Sequence, residues 1–197
     1  MRRLLALALF GFAATSAFAT VITFDEFAAD NSNGPMPATR YSALGITFVA
    51  TDDGTTWDGL GGGDPGGWGI SGTNGDRFSG FNGASYGLTT TFSTNVSGFK
   101  LDVSRSSGSS STDTFTLEGW LGGSMVETHT VTLSALNQWQ TLSLSSVVDK
   151  TVWSGTGSFH PYGIDNVRWN PVPEPTSMLT LGLGLVALIR RRRTKIA

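Results

Sequence analysis

Several groups of residues have types and spacings that could do chemistry. Gly83-Ala84-Ser85-Tyr86-Gly87 has the GxSxG spacing that raises a serine nucleophile on a sharp strand-to-helix turn. The strand-like Leu88-Thr89-Thr90-Thr91-Phe92 follows it, so the helical half of that turn is missing. Gly61, Gly63 and Gly66 have the spacing of a dinucleotide-binding loop, but Pro65 lies among them and no helix follows. The histidines are His129 and His160, with no HExxH or HxH spacing around either, whereas catalytic zinc takes three protein ligands. His129 reads as a strand residue with Glu127 on the same face. A working pair of carboxylates is chemically open, and no spacing singles one out. The absence of Cys excludes thiolate nucleophiles, zinc-thiolate sites, iron–sulfur centres and disulfides.

Acids and aromatic rings remain. Asp52, Asp53, Asp58 and Asp64 gather in one Gly-rich stretch, without the spacing of an EF-hand loop. The alternative for these acids is turn capping and solubility. Trp57 and Trp68 stand in the same stretch. An exposed indole can stack on a sugar face, so these two are the candidate glycan contacts. The alternative is that they pin a long loop. Trp139 and Trp169 fall in strand patterns and are expected in the core.

Both ends of the chain differ from its body. Arg2 and Arg3 precede the apolar run Leu4–Ala14, and Ala17-Phe18-Ala19 places small residues at a signal-peptidase cleavage site. Residues 1–19 are therefore an expected signal peptide. At the other end, Pro173-Glu174-Pro175 precedes the apolar Thr176–Ile189 and the basic Arg190, Arg191, Arg192 and Arg193. A helix of that apolar length spans about 21 Å, short of a hydrocarbon core of about 30 Å. The basic cluster would stay cytoplasmic and leave the body outside.

This three-part tail resembles the PEP-CTERM sorting signal of Gram-negative bacteria. The resemblance implies recognition by a membrane exosortase, with processing near the Pro-Glu-Pro element and transient residence of a C-terminal helix in the inner membrane. Cell surface or extracellular matrix is then the expected destination. Without the two end segments, six basic residues face fourteen acidic ones, a net charge of −8. Such a body is a poor partner for nucleic acid and a plausible one for divalent cations.

The body, residues 20–171, must position whatever chemistry exists, with 172–197 as the sorting tail. No stretch keeps a helical apolar period. Short alternating runs recur instead: Val21–Phe27, Gly45–Ala50, Leu88–Phe92, Gly98–Ser104, Thr114–Trp120, Val126–Leu133, Trp139–Leu144, Val147–Trp153 and Tyr162–Trp169. In Gly98–Ser104 the apolar Phe99, Leu101 and Val103 alternate with Lys100, Asp102 and Ser104, the pattern of a sheet with one wet face. Asp53-Gly54, Asp58-Gly59, Asn74-Gly75 and Asn82-Gly83 supply turns. The expected fold is all-β, a two-sheet antiparallel jelly-roll sandwich. Asp52–Gly80 is expected as a long loop or a pair of irregular hairpins. Ser104–Thr112 is expected as a Ser-rich hairpin tip.

Ile22-Thr23-Phe24-Asp25-Glu26-Phe27, Gly45-Ile46-Thr47-Phe48 and Gly163-Ile164-Asp165-Asn166-Val167 resemble segments of secreted galactose-binding and carbohydrate-binding jelly-roll modules. That resemblance implies one structural calcium where the first and last strands meet, with Asp25 or Glu26 and Asp165 as its carboxylates. The functional expectation is a non-enzymatic surface or matrix protein that binds or accompanies extracellular polysaccharide. An extracellular hydrolase and a structural adhesin without a small ligand are the alternatives.

Overall fold

The computed structural model describes residues 19–25, 37–51, 55–60, 78–82, 86–105, 112–135, 138–156 and 162–173. The expected signal peptide before Ala19, the apolar tail helix and the Arg190–Arg193 cluster lie outside this set.

Among the described residues, ten antiparallel strands follow one another: β1 (Thr20–Ile22), β2 (Ile46–Thr51), β3 (Thr55–Leu60), β4 (Phe78–Asn82), β5 (Tyr86–Arg105), β6 (Asp113–Leu121), β7 (Ser124–Leu133), β8 (Trp139–Ser143), β9 (Val148–Thr156) and β10 (Tyr162–Pro171). One 3-10 turn, Ser42–Leu44, precedes β2. The alternation in the sequence explains the strands. Along β6, Phe115 and Leu117 are fully buried, while Thr114 and Thr116 turn outward and meet Thr132 and Thr130 of β7.

The long β5 organises two layers. Its first half pairs with β2 on one side and β9 on the other, and β9 continues to β6 and β7. Its second half pairs with β8 and β10, and β10 continues to β1 and to β4 with β3. The strand changes sheets between Thr91 and Val96, where its register with β9 shifts. Gly98 follows at φ +60°, a left-handed conformation that costs an L side chain about 1–2 kcal/mol. Leu88–Phe92 and Gly98–Ser104, expected as separate strands, are thus one bent strand.

The layers close on aromatic rings contributed by both. Phe92 lies 5.5 Å from Phe99 and 6.0 Å from Trp169, centroid to centroid. Tyr162 meets Phe115 edge-on at 4.9 Å and Trp153 at 6.3 Å. Aromatic pairs of this kind add about 0.5–1.5 kcal/mol beyond the burial of their area. The sandwich is therefore tied by ring-to-ring contacts between its sheets.

A buried ion pair joins the two strands flanking the Ser-rich tip. Arg105 Nε lies 2.6 Å from Asp113 Oδ2, with both side chains almost fully buried. The contact is a charge pair without the alignment of a hydrogen bond, and Arg105 Nη1 also donates to the Leu133 carbonyl at 3.4 Å. The tip between these strands lies outside the described residues.

Of the two expectations for the Gly-rich stretch, its described parts match an irregular hairpin and not a loop. These parts, β3 and β4, form a hairpin ladder that extends the second sheet. Thr55, Thr56, Trp57, Phe78 and Phe81 are residue types that suit a pleated surface, and they outweigh the local glycines.

Candidate functional site

Backbone register aligns the outer face of the second sheet into rows. One row runs from Trp57 on β3 through Gly80, Gly163 and Ser104 to Trp139 on β8. Trp57 therefore belongs to a strand, and its row ends at Trp139 four strands away, about 19 Å at the usual strand spacing. Trp139, expected in the core, is half-buried on this outer face, because it pairs with Ser104 and not with an inward residue. Trp169 is buried as expected.

The next row carries Thr141, Asp102 and Asp165. Here β10 bulges: Asp165 pairs with Asp102 and Arg168 with Lys100, so three steps on β10 match two on β5. Asn166 takes up the extra residue at φ +49°, a conformation asparagine tolerates better than most side chains. Its backbone N–H donates to Asp165 Oδ1 at 2.6 Å. The bulge turns the Asn166 amide onto the sheet face.

Asp102 is the hub of that face. Thr141 Oγ1 donates to its Oδ1 at 2.5 Å, Arg168 Nη2 to Oδ1 at 3.0 Å, and Asn166 Nδ2 to Oδ2 at 2.9 Å. Arg168 Nε also donates to the Asn166 carbonyl at 3.1 Å. Asp102, Asp165 and Asn166 are buried, whereas Lys100 and Thr141 are exposed and Arg168 is 38% exposed. Buried polar groups joined this completely hold a defined geometry, since breaking one bond leaves a desolvated partner. The face thus offers a fixed polar patch beside a partly accessible indole.

A second polar cluster clasps the first sheet to the turn after β8. Glu127 accepts hydrogen bonds from the Ser145 N–H at 2.9 Å, the Ser145 hydroxyl at 3.1 Å and the Ser146 N–H at 2.6 Å. Desolvation pushes the Glu127 carboxyl upward, but these donors together outweigh it and hold its pKa below the ordinary value. His129 Nδ1 accepts the Ser143 N–H at 3.0 Å. Glu127 and His129 share a face of β7, as their spacing indicates, and both are engaged in this strand contact.

Asp25 is half-buried and follows Phe24, which is buried at φ +59°. Asp165 is fully buried in β10. Glu26 lies outside the described residues, and among those described no group of three or more His, Asp or Glu could hold a metal. Asp58 lies in β3, while Asp52, Asp53, Asp64, Trp68, Ser85 and His160 lie outside the described set. Ala19 and Pro173 are exposed at the edges of the described body. Ala17, Glu174, Pro175, Arg190, Arg191, Arg192 and Arg193 lie beyond it. No helix among the described residues is long and apolar enough to cross a membrane.

The family model for the PEP-CTERM protein-sorting motif matches residues 171–193. The chain carries a PEP-CTERM sorting motif. This motif marks it for export and exosortase-directed sorting toward the cell surface. No curated protein matches the chain. Among solved structures, it is similar to the N-terminal tandem of family 22 carbohydrate-binding modules of Paenibacillus barcinonensis Xyn10C. That match has 12% identity and a TM-score of 0.49, and covers 83% of this chain and 52% of that one. The chain thus spans about half of the tandem. It is also similar to the C-terminal family 22 carbohydrate-binding module of Clostridium thermocellum Xyn10B, with 16% identity, 80% and 96% coverage and a TM-score of 0.47. A family 32 module of C. perfringens NanJ, solved with galactose, matches at 13% identity, 64% and 94% coverage and a TM-score of 0.39.

Proposed function

We propose that the chain is a non-catalytic glycan-binding module, sorted by an exosortase to the surface or extracellular matrix of a Gram-negative bacterium. Its ligand is extracellular polysaccharide, bound on the outer face of β8, β5 and β10. One observation carries this reading: the polar hub on Asp102 lies one row from the half-buried indole of Trp139, on a face whose far edge carries Trp57. Sugars present both apolar ring faces and hydroxyl edges, and an indole beside fixed polar groups suits both. The PEP-CTERM motif supports the destination.

The test uses the full exported protein, titrated against the host's own extracellular polysaccharide. Saturable binding that weakens at least tenfold in Trp139→Ala, with Trp57→Ala as the second arm, supports the reading. Absence of binding to any polysaccharide overturns it. A calcium held by Asp25, Glu26 and Asp165 belongs to the same proposal, and a melting temperature unchanged by chelator removes it.

A second reading, a structural adhesin without a small ligand, is favoured by the opposite face. There the hydroxyls of Thr114 and Thr132 lie 3.2 Å apart, and those of Thr116 and Thr130 lie 3.3 Å apart. Binding that ignores Trp139→Ala but is lost when these threonines are replaced by valine would support it.

A further inference from the structure

Accepting the outer face as the binding face, we infer that its ligand is an acidic glycan, whose carboxylate or sulfate group is held by Arg168 with Lys100 beside it. The body has six basic residues against fourteen acidic ones. Two of those six, Lys100 and Arg168, are direct cross-strand partners on this one face.

Their accessibility differs from that of the acids around them. Lys100 is exposed and makes no ion pair among the described residues, and Arg168 is 38% exposed. The Asp102 side chain is 11% exposed, and Asp165 is fully buried. The carboxylates lie beneath the face, and the cations stand on it.

The hydrogen-bond inventory points the same way. Asp102 accepts from Thr141 and Arg168 at one oxygen and from Asn166 at the other. Thr141 spends its hydroxyl proton on that bond. Arg168 uses one N–H on Asp102 and one on the Asn166 carbonyl. A guanidinium has five N–H donors, so three remain, on a group already fixed from behind. Among the described residues, the open part of the face therefore offers three guanidinium N–H donors and the Lys100 ammonium, against the Thr141 hydroxyl oxygen as an exposed side-chain acceptor. A neutral sugar edge has hydroxyl protons to place and finds the main acceptor taken. A carboxylate or sulfate has only acceptors, and a fixed guanidinium fork matches it with two parallel bonds.

Matched polymers test this. The full exported protein is titrated against polygalacturonate and against the same polymer with its carboxyls reduced to alcohols. The acidic polymer is expected to bind at least about tenfold more tightly, a difference of about 1.4 kcal/mol. Lys100→Met should lose about tenfold of that affinity, and Arg168→Lys, which keeps the charge and removes the fork, should lose at least as much. Lys150→Met, on the other sheet, removes the same charge and should bind like the parent. Because Arg168 also supports Asp102, Lys100→Met carries the decision if Arg168→Lys lowers the melting temperature. Equal binding of both polymers, or full affinity in Lys100→Met, overturns the acidic preference and leaves glycan binding standing. Failure to bind either polymer, together with the host polysaccharide, overturns the glycan reading itself.

Discussion

Asn166 donates its side-chain amide to Asp102 at 2.9 Å, across a bulge that Asn166 itself creates with φ +49°. One residue thus supplies both the backbone irregularity and the hydrogen bond that uses it. The two contributions separate by substitution. Asn166→Gly keeps the left-handed backbone and loses the amide, at an expected cost of about 1–2 kcal/mol. Asn166→Ala loses both and should cost about 2–4 kcal/mol, the excess being left-handed strain. Urea denaturation of the two variants measures the difference. Equal losses would place the whole effect on the hydrogen bond.

The Arg105–Asp113 pair should behave as a buried charge couple. Asp113→Asn leaves a buried guanidinium without its counter-charge and is expected to cost about 3–5 kcal/mol. Replacing both, as Arg105→Met with Asp113→Leu, should recover most of that loss, because no charge then remains to be desolvated. A double variant as unstable as the single one would show that the pair's value is geometric. Equilibrium unfolding of the three proteins decides.

Glu127 sets an acid-dependent contribution. Its folded pKa is lowered from a reference value of 4.5, so the folded state favours the ionised form. The stability this confers is complete above the unfolded pKa and is lost as pH falls through the folded one. Melting temperature measured from neutral pH down to the acid limb should fall more steeply in the parent than in Glu127→Gln. Parallel curves would remove Glu127 from the acid response.

The sorting motif predicts a processing defect. Replacing Pro173, Glu174 and Pro175 together with alanine should leave an unprocessed form in the membrane fraction, with the body's fold unchanged. Intact mass of surface and membrane fractions reads this directly. Normal surface delivery of the substituted chain would separate the motif from sorting.

Much of the architecture is legible locally, because alternation is a two-residue signal. Phe99, Leu101 and Val103 point into the core as their spacing indicates, and Lys100, Asp102 and Ser104 point outward. The same alternation misstates exposure. Asp102 and Ser104 are buried on that outer face, and nothing in their neighbours' identities says so. The hub was not legible for a related reason: Asp102 meets Asn166 and Arg168 from 64 and 66 residues away, through a bulge whose register only the paired strands define. Asp165 stands out in the sequence through its resemblance to known modules, yet its neighbour Asn166 makes the bond to the hub. Arg105 and Asp113 look like polar flanks of a solvated tip. In the fold Tyr162 of the distant β10 pairs with Arg105, and Leu133 at the far end of the neighbouring β7 pairs with Asp113.

The course of β10 has a mechanical consequence. The chain leaves the body at Pro171, which pairs with Val96, and the Val172 N–H donates to the Asn95 carbonyl at 2.8 Å. A tether attached beyond this point pulls β10 along its own axis. Its ladders to β5, β1 and β4 run alongside that axis, so they share the tension in shear and do not open one bond at a time like a zipper. Arg168 lies on the same strand, three residues before Pro171, so a polymer gripped there and a cell holding the tail would both load the C-terminal part of a single element. The strand that shapes the proposed binding face would then also carry the pull between cell and matrix.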